Sequence, residues 1–206
     1  DFSGKVKNKL ELQKELGLEV NPDKCMISFI ARLVSHKGID LVLERFGDIA
    51  KEDVQFVLLG MGDNYYQEKL KEFAYYHQDN TRIIIDYNNQ LSRKIYAASD
   101  LFLMPSRFEP CGLSQMIASR YGAIPIVRAT GGLFDSIKDW QNGEGNGFVF
   151  REYNSYDMLN KIKEAVYYYK NVDERNKIIK KVMETDFSWN VSAKYYIEAY
   201  MKLLTK

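Results

Sequence analysis

The 206-residue chain is short of the features that commit a protein to a special environment. Its two cysteines, Cys25 and Cys111, stand far apart and form no Cys-x-x-Cys pair. That excludes a disulfide-built scaffold, leaves no local zinc-ligand spacing, and points to a reducing, cytoplasmic setting. No apolar run approaches the roughly 20 residues of a membrane helix. The opening DFSGKVKNKLELQKEL is polar with a helical pattern, which is not the build of a signal peptide. Neither sign of charge is in excess. The 29 Lys and Arg against 28 Asp and Glu leave a formal net charge of +1, so neither nucleic acid nor a membrane surface is an expected partner. Internal repeats, low-complexity tracts and Pro/Gly/Ser-rich linkers are absent too. One domain over residues 1–206 is the expectation.

What is present is regular alternation. Short apolar runs occur at 26–33, 54–60, 82–86, 101–106, 124–128 and 148–150. They are nearly continuous and rich in Ile, Val, Leu and Phe, as strands buried on both faces of a parallel sheet are. Between them, Ile39, Val42, Leu43, Phe46, Ile49 and Ala50 recur at helical spacing. Tyr66, Leu70, Phe73, Ala74 and His77 do the same, and Leu91, Ile95 and Ala98 more weakly. The alternation predicts an α/β fold with a doubly wound parallel sheet. Beyond residue 150 the pattern is helical, roughly 155–170, 172–184 and 188–204, with Ser188 as N-cap of the last.

Open parallel sheets bind ligands beyond the carboxyl ends of their strands. Arg32 and Lys37 follow the first run, GMGD (60–63) the second, and Tyr87 the third. Glu109 to Ser114 follow the fourth, and Thr130, Gly131 and Gly132 the fifth. Arg32 offers a bidentate fork for phosphate oxygens and Lys37 a mobile point charge. Gly112 lets backbone N–H groups come close to a ligand at the start of a helix. Thr130-Gly131-Gly132 is a candidate second anion nest. Glu109 accepts hydrogen bonds from neutral hydroxyls such as those of a sugar, and Tyr87 stacks on a base or a sugar.

Plainer readings stand beside these. A strand-end Arg forms a surface ion pair about as often as it binds a ligand. Gly60 and Gly62 fit turn positions, since no Gly-x-Gly-x-x-Gly is present. Gly131 and Gly132 also suit a turn before a helix. Cys111 has no base beside it in sequence and fits a small filler. His36 and His77 fit surface or structural positions, and the tyrosines at 167–169 fit a helix with one buried face. Glu109 resists such a reading: an acid before Pro110, at the ligand edge, has no packing purpose.

The stretch PSRFEPCGLSQ (105–115) resembles the donor-site motif of the family 5 glycosyltransferases, the bacterial glycogen synthases and plant starch synthases. ARLVSHKGIDL (31–41), YGAIPIVRATGGLFDSI (121–137), FSWNVSAKYYIEAY (187–200) and GKVKNKLELQKELGL (4–18) extend the resemblance over nearly the whole chain. It implies one Rossmann-like half of a GT-B fold, with C-terminal helices. That half is the C-terminal, nucleotide-sugar domain; the N-terminal acceptor domain is absent. In such enzymes the last helix crosses back to the first domain. The resemblance puts Arg32 and Lys37 on the donor diphosphate, Glu109 at the glucosyl ring and Tyr87 against the adenine. Cys111, Gly112 and Leu113 supply backbone N–H groups, Ser114 lies beside the phosphate, and Thr130 and Gly131 lie near it. Many related retaining transferases carry a second acid eight residues after the first. Ile117 stands there instead, which disfavours family 4 and agrees with family 5.

The implied reaction is retaining transfer of glucose from ADP-glucose to the 4-hydroxyl of an α-1,4-glucan. It needs no cofactor and no metal, since Arg32 and Lys37 neutralise the diphosphate and no Asp-x-Asp pair stands at the sheet edge. Two alternatives remain from the residues alone. One is another GT-B nucleotide-sugar enzyme, a family 4 glycosyltransferase or an epimerase. The other is a non-catalytic nucleotide- or glucan-binding module.

Overall fold

The computed structural model describes residues 3–204. In chain order the elements are α1 (Ser3–Glu15), β1 (Cys25–Ile30), α2 (Ile39–Lys51), β2 (Val54–Leu59), α3 (Asn64–Tyr76), β3 (Thr81–Ile84), α4 (Asn89–Ala98) and β4 (Leu101–Met104). They continue with α5 (Ser114–Arg120), β5 (Ile124–Arg128), α6 (Gly131–Ser136), β6 (Phe148–Phe150), α7 (Ser155–Lys170), α8 (Val172–Glu184) and α9 (Trp189–Leu204). A short 3-10 turn, Ser35–Lys37, precedes α2.

The six strands form one parallel sheet in the order β3-β2-β1-β4-β5-β6. All six expected runs are strands, but β1 to β4 end before the apolar runs do. β4 stops before Pro105, which has no N–H for the ladder. β1 stops at Ile30, after which Leu33 meets only Gly62 in a lone parallel bridge. Between β1 and β4 the winding reverses direction. There the loops after the two strands part and open a crevice.

Burial explains why the pattern is readable. β2 is buried along its whole length and β1 over all but its last residue. On one face Phe29, Phe46, Phe56 and Ile162 join α2 and α7 to the sheet. On the other, Leu12, Met26, Val57 and Ile95 join α1 and α4 to it. Each such buried side chain contributes about 1.5–3 kcal/mol by leaving water. α2 buries the expected Ile39, Val42, Phe46 and Ile49 and adds Leu41. Of the tyrosine run, Tyr169 is buried and Tyr167 is exposed. His77 lies near the Phe46 ring, with centroids 5.9 Å apart.

Two helices depart from the simple scheme. α1 buries Lys9 and Gln13 beside Leu12. Lys9 Nζ donates to Asp100 Oδ2 at 2.9 Å, to Tyr169 Oη at 3.0 Å and to the Lys24 carbonyl at 3.1 Å. Asp100 also accepts from the Met26 N–H at 2.8 Å, so the pair pins α1 to the amino ends of β1 and β4. α9 buries nothing among its described residues: Trp189 is 78% exposed and Leu204 80%. Ser188 precedes it as expected, its carbonyl accepting from the Val191 and Ser192 N–H groups.

Candidate functional site

The crevice is framed by the loop after β1 (31–38) and the loop after β4 (105–113). The two are tied together. The Arg107 N–H donates to the His36 carbonyl at 2.9 Å. Lys37 Nζ meets Glu109 Oε2 at 2.6 Å, and Ser106 Oγ donates to the same oxygen at 3.2 Å. Lys37 and Glu109, chosen from sequence for separate tasks, are thus partners in one ion pair.

A brace behind the loops had no signal in sequence spacing. Arg128, at the end of β5, donates from Nε to the Ser106 carbonyl at 2.9 Å and from Nη2 to the Arg107 carbonyl at 2.5 Å. The Arg107 and Arg128 guanidinium groups lie 4.3 and 5.5 Å from the Tyr153 ring centre. The Tyr153 hydroxyl donates to Asp40 Oδ1 at 2.5 Å, in the first turn of α2. Burial and that bond push the Tyr153 phenol well above its ordinary value.

The Thr-Gly-Gly turn buttresses the same loop from below. The Gly132 N–H donates to the Glu109 and Pro110 carbonyls at 3.1 and 3.2 Å. A Cβ on Gly131 would lie 2.3 Å from the Glu109 carbonyl oxygen, and its φ is +42°. Thr130 Oγ1 donates to the Arg107 carbonyl at 3.4 Å. The second anion nest expected at 130–132 therefore does not form as such, because Gly132 already donates to the loop it supports. Gly112 differs. Its φ of +75° precedes Leu113 at φ −109°, ψ −30°. A left-handed residue followed by a right-handed one turns successive N–H groups toward one side. Among the described residues no acceptor pairs with the N–H of Gly112 or Leu113.

Two cavities open on the crevice. The larger, about 610 Å³, is walled by Gly60, Met61, Tyr87, Tyr96, Ile117 and Tyr121 together with Arg32 and Ser114. The smaller, about 380 Å³, is walled by Arg32, Lys37, Ser106, Glu109, Gly112, Leu113 and Ser114. Arg32 and Ser114 stand in both. Of the ten residues expected from sequence, six share the smaller cavity: Arg32, Lys37, Glu109, Gly112, Leu113 and Ser114. Tyr87 lies in the wall of the larger one and is 77% exposed. Cys111, Thr130 and Gly131 line neither. Cys111 is exposed, its Sγ 3.6 Å from the Gly112 carbonyl.

Sequence reasoning missed Ser106, Tyr96 and Tyr121. The two tyrosines have the look of helix packing residues. Burial raises the Tyr96 phenol pKa, opposed by its hydrogen bond with Ser114. The result is an aromatic chamber large enough for a base, joined through an arginine to a polar chamber holding a cation, a carboxylate and free N–H groups. Such a pair suits a ligand with a flat ring, an anionic middle and a hydroxyl-rich end. Among the described residues no three His, Cys, Asp or Glu side chains come together as metal ligands.

Residues 13–184 match the model of the group 1 glycosyl transferases. The chain is 47% identical to glycogen synthase of Clostridium acetobutylicum over 97% of its own length and 43% of that protein's. It is 47% identical to glycogen synthase of Pseudothermotoga lettingae over 98% of its own length and 42% of that protein's. The catalytic domain of Starch Synthase IV from Arabidopsis thaliana, solved bound to ADP and acarbose, has a TM-score of 0.89 and 38% identity, over all of this chain and 44% of that one. A glycosyltransferase from Rickettsia africae, at 19% identity and a TM-score of 0.73, shares the fold; the alignment covers 97% of this chain and 52% of that one. The chain therefore spans less than half the length of the curated relatives it matches. Its sheet is one Rossmann-like half of the GT-B architecture. With the family model covering most of its length, the chain belongs to the group 1 glycosyl transferases.

Proposed function

We propose that this chain is the C-terminal, nucleotide-sugar-binding domain of an ADP-glucose-dependent glycogen or starch synthase. The intact enzyme would be a cytoplasmic hexosyltransferase that moves glucose, with retention, to the 4-hydroxyl end of an α-1,4-glucan. One observation carries the reading: Arg32 and Ser114 form a common wall between an aromatic chamber and a chamber closed by Lys37 and Glu109. A base fits the first, a diphosphate the wall, and a hexose the second. The ADP held by the Arabidopsis starch synthase, at 38% identity, supports that choice of ligand.

The chemistry follows from charge. As the glycosidic C–O bond breaks, the diphosphate gains negative charge and the sugar becomes cationic. Fixed positive groups at the leaving oxygens lower that barrier. Arg32 grips the diphosphate as a fork, and Lys37 bridges it to Glu109. Each cation–phosphate pair contributes about 4 kcal/mol at an effective dielectric near 20, before desolvation is subtracted. The N–H groups of Gly112 and Leu113 point the same way, with Cys111 and Ser114 flanking them. Thr130 and Gly131 act near the phosphates through the loop that they buttress. Tyr87 stacks on the adenine. Glu109 accepts from the hexose hydroxyls; it is the only acid lining the smaller cavity among the described residues. A glycosidase-like carboxylate pair is therefore not invoked, and departure of the nucleotide drives the reaction. Two cations suffice, without a metal or other cofactor.

The glucan acceptor would bind the preceding domain, and the bare apolar α9 would lie against it. The isolated chain then binds nucleotide weakly and transfers no glucose. Calorimetric titration of ADP, and separately of UDP, into the chain and its Arg32→Ala variant tests this. ADP binding that is lost in the variant is the expected result. Stronger binding of UDP would keep the site and replace the donor. Binding of neither, or glucan elongation by the chain alone, would overturn the reading.

A further inference from the structure

Gln115 lies in the first turn of α5 and is fully buried. Its Nε2 donates to the Cys111 carbonyl at 3.2 Å, the Gly112 carbonyl at 2.9 Å and the Ser136 hydroxyl at 3.1 Å. Its Oε1 is buried and has no hydrogen-bond partner among the described residues. The amide cannot sensibly turn over, because reversal would press an oxygen against two carbonyl oxygens. A buried acceptor without a partner is unfavourable, and a methionine of the same length would avoid it. Helix stability and core packing therefore do not account for this residue.

Its donors account for it. In a trans peptide the C=O and N–H point in opposite directions. The Cys111 carbonyl shares a peptide with the Gly112 N–H, and the Gly112 carbonyl with the Leu113 N–H. By drawing both carbonyls to the buried side, Gln115 turns both N–H groups the other way. Gly112 and Leu113 line the smaller cavity with Arg32, Lys37 and Glu109. Ser136, in the last turn of α6, holds the amide in turn, since its hydroxyl donates to the Gly132 carbonyl at 2.6 Å. A Cβ on Gly112 would lie 2.5 Å from Gln115 Oε1, which adds to the preference for glycine set by its φ of +75°.

We propose that Gln115 is a positioning residue that aims the Gly112 and Leu113 N–H groups at the anionic part of the ligand. The geometric half stands alone; the half concerning the ligand rests on the donor-site reading above. The test uses the whole chain as wild type, Gln115→Met and Gln115→Glu. Methionine keeps length and apolar bulk while removing the donors and the orphan acceptor. Nitrogen-15 relaxation reports the order of the Gly112 and Leu113 amides, and pyrophosphate titration reports the anion contact. The Met variant is expected to fold and to melt close to the wild-type temperature, since it removes one orphan acceptor but leaves the Cys111 and Gly112 carbonyls without this donor. Its two amides lose order and its pyrophosphate affinity falls about tenfold. The Glu variant is weaker still at neutral pH and recovers as acid turns its carboxyl into a donor. A Met variant with wild-type amide order makes Gln115 a packing residue and ends the proposal. Lost order with unchanged pyrophosphate affinity overturns its functional half. A wild-type chain that ignores pyrophosphate instead overturns the donor-site reading, and amide order alone then decides the role of Gln115.

Discussion

Glu109 and Gly131 are 22 positions apart, yet the side chain of one is useful only because the other has none. With Gly131 Cα pressed against the Glu109 carbonyl, a methyl group there must move the loop or twist out of a positive φ. Gly131→Ala is therefore expected to destabilise the chain by about 1–3 kcal/mol, seen as a lower urea midpoint. It should weaken nucleotide binding as well, because the displaced loop carries the partner of Lys37. Residue identity was a good guide to the front of the site and a poor one to its back. Arg32, Lys37 and Glu109 are visible because each follows a buried strand at the edge where open parallel sheets bind ligands. Arg128, Tyr153, Asp40 and Gln115 are not, because their partners lie far away in sequence or on the backbone, where no spacing records them.

Elements were legible wherever burial was two-sided. A strand covered on both faces must be apolar throughout, so β1, β2 and β5 declare themselves. Their ends do not, because a strand ends where its neighbour's hydrogen bonds end. α1 shows the converse. Its sequence is that of a solvent helix, yet Lys9 and Gln13 are buried, for Asp100 and Gln55 wait beneath them. Another of its lysines has a measurable consequence. Lys5 Nζ donates to the Tyr121 carbonyl at 3.1 Å and the Ala97 carbonyl at 3.4 Å, where α5 and α4 end. Burial lowers its pKa from 10.5 to about 8. Below that pH both the folded and unfolded chains hold the proton, and partial desolvation of the half-buried ammonium weakens the fold. Between about 8 and 10.5 the unfolded chain binds more protons, so stability rises with pH. Urea midpoints from pH 7 to 9.5 should climb for wild type and stay flatter for Lys5→Met. Parallel curves would mean that Lys5 does not titrate there.

At the scale of the molecule, α9 is an outlier. It has the apolar content of a core helix, yet none of its described residues is buried. Truncation after Ser188 should leave the melting temperature nearly unchanged and reduce self-association, measurable by scanning calorimetry and sedimentation. A large fall in melting temperature would show that α9 supports this domain after all. The sheet order itself followed from alternation only in part. Periodicity predicts a parallel, doubly wound sheet, but the position of the reversal between β1 and β4 depends on packing among all six strands.

That reversal divides the ligand's surroundings between two families of loops. Tyr87 and Tyr96 hang from the β3 side, while Lys37 and Glu109 face each other across the β1–β4 gap. Substitutions at Tyr87 share no hydrogen-bond partner with those at Lys37 or Glu109, so their effects on binding should simply add. Ile30, Ala31, Arg32 and Ser114 belong to both. Taste for a base can therefore drift over generations without altering taste for a sugar, as long as those four residues hold still.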